Sequence, residues 1–464
     1  MKKTRLFSLV TAAAVIASSA AACGRRGYED FSIPEQGPST LRPLSDIYIS
    51  NSYEGVAPTA EKTVNTVKSD DGLCVIENKG SYYDVTLDYE NGTPAQVGAA
   101  YGQTILRAKP KYSDICEPYI YENIKAAFND LNGDYSGIKK RTDAFLNALP
   151  DDYRQELEAF ANAVKGDSEG FLEDDILSYD EAVLIQFIPD ALRGTACSAL
   201  SADGNVTATG ERLTARVLEW DLGSENQLCR AHSLVHMKNG SKSFVSLNYL
   251  GFLTILTAVN NDGVLLGELD VGSDSMVKYT CENKTSYTYG IRYAIENFTT
   301  AREAAEYLVG NAQSYPYSFN VLATDKNEAL IAEIPVSPKD GTPLIRDSST
   351  ELNRNYKWDS SDYICAVNSF SSAANTKDLY FGIHNAIRWK RYNELFCGEK
   401  CLTADRFKEL MTCESTDNKL DRIRGDGMVH MLIADYSTET IQAILTGVDG
   451  VVDSPEFIDL GSWK

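Results

Sequence analysis

Cys197 follows Gly194-Thr195-Ala196 and precedes Ser198-Ala199, so a thiol stands among small residues in the middle of the chain. As a nucleophile it needs a base to take its proton. None of the four histidines, His232, His236, His384 and His430, lies near it in sequence. A second solution exists at the same residue: if the bond between Ala196 and Cys197 were cut, the freed α-amine, with an ordinary pKa of about 8, could accept the thiol proton. The thiolate would then attack an acyl carbonyl and form a thioester, which water or an amine resolves. The small residues before Cys197 let the backbone bend for such a self-cleavage.

The elements that must hold this thiol are legible in the periodicity on either side. Before it, "GAAYGQTILRAK", "PYIYENIKAAFNDL", "DDYRQELEAFANAVKG" and "DDILSYDEAVLIQF" space apolar residues at three and four, the mark of helices. After it, runs such as "RLTARVLEW" and "SFVSLNYLG" are rich in β-branched and apolar residues. Asp203-Gly204, Asn239-Gly240 and Asp262-Gly263 punctuate them as hairpin turns. Helices return at "TYGIRYAIENF", "TAREAAEYLVGNA", "FGIHNAIRWKRYNELF" and "TADRFKELMT", and the chain closes on the hairpin "MVHMLIADYSTETIQAILTG". Strands, helices and strands again imply an α+β layered sandwich of antiparallel sheets rather than a parallel βαβ wind.

With the thiol and the sheets in view, the sequence resembles the cysteine N-terminal nucleophile hydrolases, most of all the acyl-CoA:isopenicillin N acyltransferase-like branch. Choloylglycine hydrolase and acid ceramidase are more distant relatives. The resemblance is carried by the small residue before Cys197, the "ADG" of Ala202 to Gly204, "ARVLEW" at 215–220, the Asn-x-x-Gly hairpin at Asn260 and "ICAVNSF" around Asn368. It implies a four-layer αββα sandwich with a helical pro-segment, no cofactor and no metal. It also implies roles: Cys197 as nucleophile, Arg216 favouring its thiolate, Glu219 or else Asp221 holding the α-ammonium, and Asn368 donating to the oxyanion. Asp270 stands where relatives of the bile-salt hydrolases carry an asparagine; an ionised aspartate cannot donate, so it and Asn260 are candidates for a catalytic or substrate-binding duty. Val217 and Glu219 replace the family's asparagine and aspartate. His384, Arg388 and Arg391 read as a helix face first and a substrate contact second.

Lys2, Lys3 and Arg5, an apolar stretch and Ala20-Ala21-Ala22-Cys23 form a signal peptide whose end resembles a bacterial lipobox, with Cys23 as the lipidated residue. The chain thus divides into a signal peptide at 1–22, a lipid-anchored spacer at 23–71, a mainly helical pro-segment at 72–196 and a hydrolase core at 197–464. A formal charge of −22 repels nucleic-acid phosphates and anionic head groups. The partner that the resemblance implies is a small-molecule N-acyl amide or acyl donor, with the membrane met only through the lipid. The place expected is the outer face of a bacterial cell membrane, or secretion without lipid. Apart from Cys23 and Cys197, eight cysteines remain, enough for four disulfides in an oxidising compartment. Cys397 and Cys401 lack histidines at zinc-site spacing, and "GELDVGSDS" lacks the spaced ligands of an EF-hand calcium loop. The function expected is hydrolysis of, or acyl transfer from, linear amide C–N bonds. A phospholipase B-like ester hydrolase, suggested by "CSAL", and a catalytically silent ligand-binding lipoprotein are the alternatives.

Overall fold

The computed structural model describes residues 64–127, 135–167, 171, 174–192, 197–271, 283–353, 356, 358, 360–375, 383–413, 423–425, 427–452 and 455–464. The expected signal peptide, Cys23, most of the spacer and Ala196 lie outside the described residues.

Three short strands open the described chain: β1 (Asn65–Lys68), β2 (Cys74–Asn78) and β3 (Tyr83–Asp88). Strand β1 lies within the expected spacer, and β2 and β3 precede the helices of the mainly helical segment. Cys74, Ile76, Val85 and Leu87 are buried at period two between exposed or half-buried neighbours, which is a strand pattern. Five helices follow: α1 (Pro94–Ala108), α2 (Ser113–Ala127), α3 (Tyr135–Ala148), α4 (Asp151–Val164) and α5 (Tyr179–Leu192). Thr93 and Gln96 form a reciprocal capping box at the start of α1, with Pro94 inside its first turn. Gly98 and Gly102, one turn apart on α1, let α4 come close: a Cβ on Gly98 would lie 2.2 Å from the Glu156 carbonyl oxygen.

Cys197 then leads into β4 (Ser198–Ala202), followed by β5 (Leu213–Glu219), β6 (His232–Lys238), β7 (Phe244–Tyr249), β8 (Thr257–Asn260) and β9 (Leu265–Asp270). Beyond them come α6 (Tyr287–Asn297), α7 (Ala301–Gly310), β10 (Phe319–Thr324), β11 (Ala329–Ile334), β12 (Leu344–Arg346) and β13 (Tyr363–Val367). The chain ends with α8 (Ile383–Phe396), α9 (Ala404–Met411), β14 (Met428–Asp435), β15 (Thr440–Leu445) and β16 (Ile458–Ser462).

The strands form two sheets. Ten pair in the order β1-β2-β3-β6-β7-β8-β9-β10-β11-β12, and six in the order β13-β4-β5-β14-β15-β16. Every pair is antiparallel except β3 with β6, which run parallel. One core lies between the sheets, where Leu218, Leu432 and Ala434 of the smaller meet Leu265 and Leu322 of the larger. A second core lies on the outer face of the smaller sheet, where Leu200, Val217 and Met431 pack against Trp389, Tyr392, Phe396 and Phe407 of α8 and α9. With α6 and α7 against β8 to β12 and α1 against β1 to β3, the arrangement is a four-layer αββα sandwich.

Buried polar bonds tie the early helices to the rest. Gln186 of α5 clamps the turn after β7, donating to the Gly251 carbonyl and accepting from Leu253 N, both at 2.7 Å. The Tyr112 hydroxyl donates to the Leu250 carbonyl at 2.8 Å, and Tyr101 accepts from Gly251 N at 2.7 Å. Arg292 of α6 meets Glu156 of α4 at 2.7 Å with both side chains buried. Asp190 near the end of α5 accepts from Tyr287 N at 2.7 Å and from the Ser286 and Thr288 hydroxyls at 2.8 Å, closing the N-terminus of α6.

The expectation of four disulfides is not met among the described residues: Cys74, Cys116, Cys229, Cys365 and Cys401 carry no bridge. The first four are buried, and burial pushes the Cys74, Cys116 and Cys229 thiols up to about 12, as befits packing residues. No helix among the described residues is long and apolar enough to cross a membrane.

Candidate active site

Cys197 stands at the head of β4, the strand flanked by β5 and β13. Those neighbours carry, or lead directly into, the other expected residues: Arg216 and Glu219 lie on β5, and Asn368 follows β13. Arg216 points between the two sheets and is fully buried. Its Nη2 lies 3.4 Å from Cys197 Sγ and also donates to the Glu268 carbonyl at 2.5 Å. Its Nε and Nη1 make no hydrogen bond among the described residues. This side chain fits only because the facing residue on β9 is Gly267, where a Cβ would come within 2.7 Å of Arg216 Cγ. Strand alternation turns Glu268 to the opposite face of that sheet, where burial holds its carboxyl well above the usual range.

The main chain of Cys197 is gripped from the other side by a residue that the sequence pointed to only as part of a helix face. Arg388 of α8 donates through Nη1 to the Cys197 carbonyl at 2.8 Å and to Glu219 Oε2 at 3.0 Å. Its Nη2 donates to Asn368 Oδ1 at 3.0 Å and Asn385 Oδ1 at 2.8 Å. Glu219 Oε1 in turn accepts from Gly425 N at 2.6 Å. Because Asn368 Oδ1 is taken by Arg388, its amide nitrogen faces the end of β9 and donates to the Asp270 carbonyl at 2.5 Å. Asn385 donates to the Asn368 carbonyl at 3.0 Å and completes the ring of contacts. The Arg216 guanidinium beside the sulfur is a positive neighbour of the kind that favours a thiolate.

Of the expected residues, Cys197, Arg216, Glu219 and Asn368 thus come together, joined by Arg388 and Asn385. Asp270 reaches the group through its backbone carbonyl. Asp221 does not join it: its carboxylate accepts from Gly223 N at 2.9 Å in a local turn, its carbonyl accepts from the Tyr119 hydroxyl, and burial raises its pKa. Asn260 does not join it either. Its Oδ1 accepts from Asp262 N and Val264 N, and its amide donates to the Ile295 and Phe298 carbonyls, so it fastens a hairpin to α6. Arg391 pairs with Glu394 and points to Cys413, while the side chain of His384 lies outside the described residues. Arg388 was named in the sequence with His384 and Arg391 as a helix face, whereas Asn385, three residues before it on that face, was missed.

A small apolar cavity of about 60 Å³ lies beside the site, walled by Tyr112 and Tyr119 of α2, Ile188 of α5, Trp220, Tyr249 and Phe252. Tyr249 links it to the thiol: its hydroxyl is buried with no hydrogen bond among the described residues, burial keeps it protonated, and the charges of Arg216 and Cys197 reach it.

No family model matches the chain, and no curated protein matches it. Among solved structures it is similar to a Caenorhabditis elegans ortholog of N-acylethanolamine-hydrolyzing acid amidase, at 14% identity and a TM-score of 0.37 over 51% of this chain and 92% of that one. It is also similar to a conjugated bile acid hydrolase variant from Clostridium perfringens, at 11% identity and a TM-score of 0.33 over 57% and 97% of the two chains. A penicillin V acylase from Agrobacterium tumefaciens aligns at 14% identity and a TM-score of 0.31 over 57% and 86%. Two stacked sheets between helical layers, with a thiol at the head of the smaller sheet, are the architecture that the sequence resemblance implies.

Proposed function

We propose that this chain is an exported lipoprotein that hydrolyses linear amide C–N bonds of small N-acyl amides, or transfers their acyl group, after cleavage between Ala196 and Cys197 frees the cysteine amine. The observation that carries this reading is the convergence on Cys197, with a guanidinium 3.4 Å from its sulfur and a second one on its carbonyl. The freed α-amine takes the thiol proton, and Glu219, already fixed by Arg388 and Gly425 N, is the carboxylate available to hold the resulting ammonium. Sulfur adds to the acyl carbonyl, and Asn368, turned by Arg388, supplies an N–H to the developing oxyanion. The ammonium proton passes to the leaving nitrogen, the C–N bond breaks, and the thioester remains for water or a second amine. The lining of the neighbouring cavity suits an apolar acyl group. Mass spectrometry of active protein tests the reading: a fragment running from Cys197 to Lys464 is expected, and an active chain with that peptide bond intact would overturn it.

A further inference from the structure

The cavity beside the thiol limits the size of the acyl group that can enter it. β5 pairs Val217 with Ser198, and Leu218 and Trp220 follow on the face turned to the core between the sheets. The same core takes in Cys197 and Tyr249, and both Trp220 and Tyr249 line the cavity. Its volume is about 60 Å³. An apolar cavity of about 150 Å³ takes one benzene ring, which is about 25 Å³ per carbon. On that scale the cavity holds about two or three carbons beyond the carbonyl that the sulfur attacks.

The wall resists widening because buried bonds pin it on two sides. On the α2 side, the Tyr112 hydroxyl donates to the Leu250 carbonyl at 2.8 Å and the Tyr119 hydroxyl to the Asp221 carbonyl at 3.0 Å. On the α5 side, Gln186 holds Gly251 and Leu253 at 2.7 Å each. The turn and α2 already touch, since a Cβ on Gly251 would come within 2.1 Å of the Tyr112 hydroxyl oxygen. An interior packed this closely does not swell to admit extra methylenes without strain. The same bonds fix its chemistry: the Tyr112 and Tyr119 hydroxyls are committed to main-chain carbonyls, and the Tyr249 hydroxyl is inaccessible. A hydroxyl or amine on the acyl chain would exchange water for hydrocarbon there. Ile188 of α5 and Leu256, just ahead of β8, also line the cavity, and their side chains take no part in the pinning bonds. We infer that the enzyme proposed above, on whose amidase reading this rests, selects short saturated acyl groups, propionyl or butyryl, and that Ile188 and Leu256 set the upper limit.

The test compares kcat/KM of the full protein for the acetyl, propionyl, butyryl, hexanoyl, decanoyl and phenylacetyl p-nitroanilides. From acetyl to butyryl a rise of about fourfold per methylene is expected, with hexanoyl and phenylacetyl at least about tenfold below butyryl. Ile188→Ala and Leu256→Ala should each raise the hexanoyl-to-butyryl ratio at least about tenfold. Both substrates are read on one preparation, so a loss of folded protein leaves that ratio unchanged. The inference is overturned, with the amidase reading intact, by a fall from acetyl to butyryl, by equal or faster hydrolysis of a hexanoyl, decanoyl or phenylacetyl anilide, or by a ratio unmoved in both variants. Hydrolysis of none of the six overturns the amidase reading and the inference with it.

Discussion

Two helical regions of this molecule, α8 with α9 and the early helices, share aromatic packing and differ in where their polar bonds go. α8 and α9 meet the smaller sheet through aromatic packing, with Trp389, Tyr392 and Phe396 fully buried, and Asn385 and Arg388 carry polar contacts to Asn368 and to the Cys197 carbonyl while the Tyr392 hydroxyl pairs with Ser198. The early helices also pack rings on α6, Tyr153 and Phe187 against Tyr289, and add several separate buried bonds to the β7 turn and α6 from Tyr101, Tyr112, Glu156, Gln186 and Asp190. The first region aims chemistry; the second holds a wall and a pocket. A residue of the first that reaches Cys197 should therefore change the rate per folded molecule, whereas one of the second should change stability with that rate kept.

The largest effect belongs to the nucleophile. Cys197→Ser is expected to bring turnover of a chromogenic N-acyl anilide to background and to abolish labelling at that position by a thiol probe. Next, Arg292→Ala breaks the buried pair with Glu156 and should cost about 3–5 kcal/mol in urea unfolding, with the rate per folded molecule kept. An equal loss of rate would mean that the early helices also aim the chemistry. Arg388→Gln is expected to lower kcat per folded molecule about 100-fold and, because it also breaks a buried pair, with Glu219, to lower the unfolding midpoint.

Smaller still, Gly267→Ala should press on Arg216 and lower kcat/KM about tenfold, while the pH at which the thiol becomes reactive rises. The least effect comes from His232, which burial holds down to about 4. Between about 4 and the ordinary value of 6.5 the folded state binds fewer protons than the unfolded chain, so this group makes stability fall as pH drops through that window. Asp190, raised to about 7 by burial, acts with the opposite sign, so the readout is the difference between two proteins. Wild type should lose more urea resistance than His232→Gln between about pH 7.5 and pH 5.

What the sequence disclosed follows the reach of each interaction. Cys197, Arg216, Glu219 and Asn368 were legible because they sit on or just after adjacent strands, where pairing in register brings them together. The Asn239-Gly240 and Asp262-Gly263 turns do join hairpins, since a positive φ at glycine is a local demand. Arg388 was legible only as part of a helix face, because its approach to Cys197 is set by how α8 packs across the sheet. Asn260 and Asp221 misled for the converse reason: their side chains are spent on their own turns, and composition does not distinguish an acid that bonds its neighbour from one that waits for substrate. β1 to β3 escaped because β3 finds its parallel partner only after the five helices have intervened.

That parallel pairing has a consequence for any chain severed before Cys197. One continuous ladder would then be woven from two polypeptides, since β3 lies on one piece and β6 on the other. Denatured and returned to water, the intact precursor reassembles by a first-order route, whereas the severed form must find its other half by collision. Recovery of the mature protein would slow on dilution, and scission would act as a ratchet that the molecule passes once.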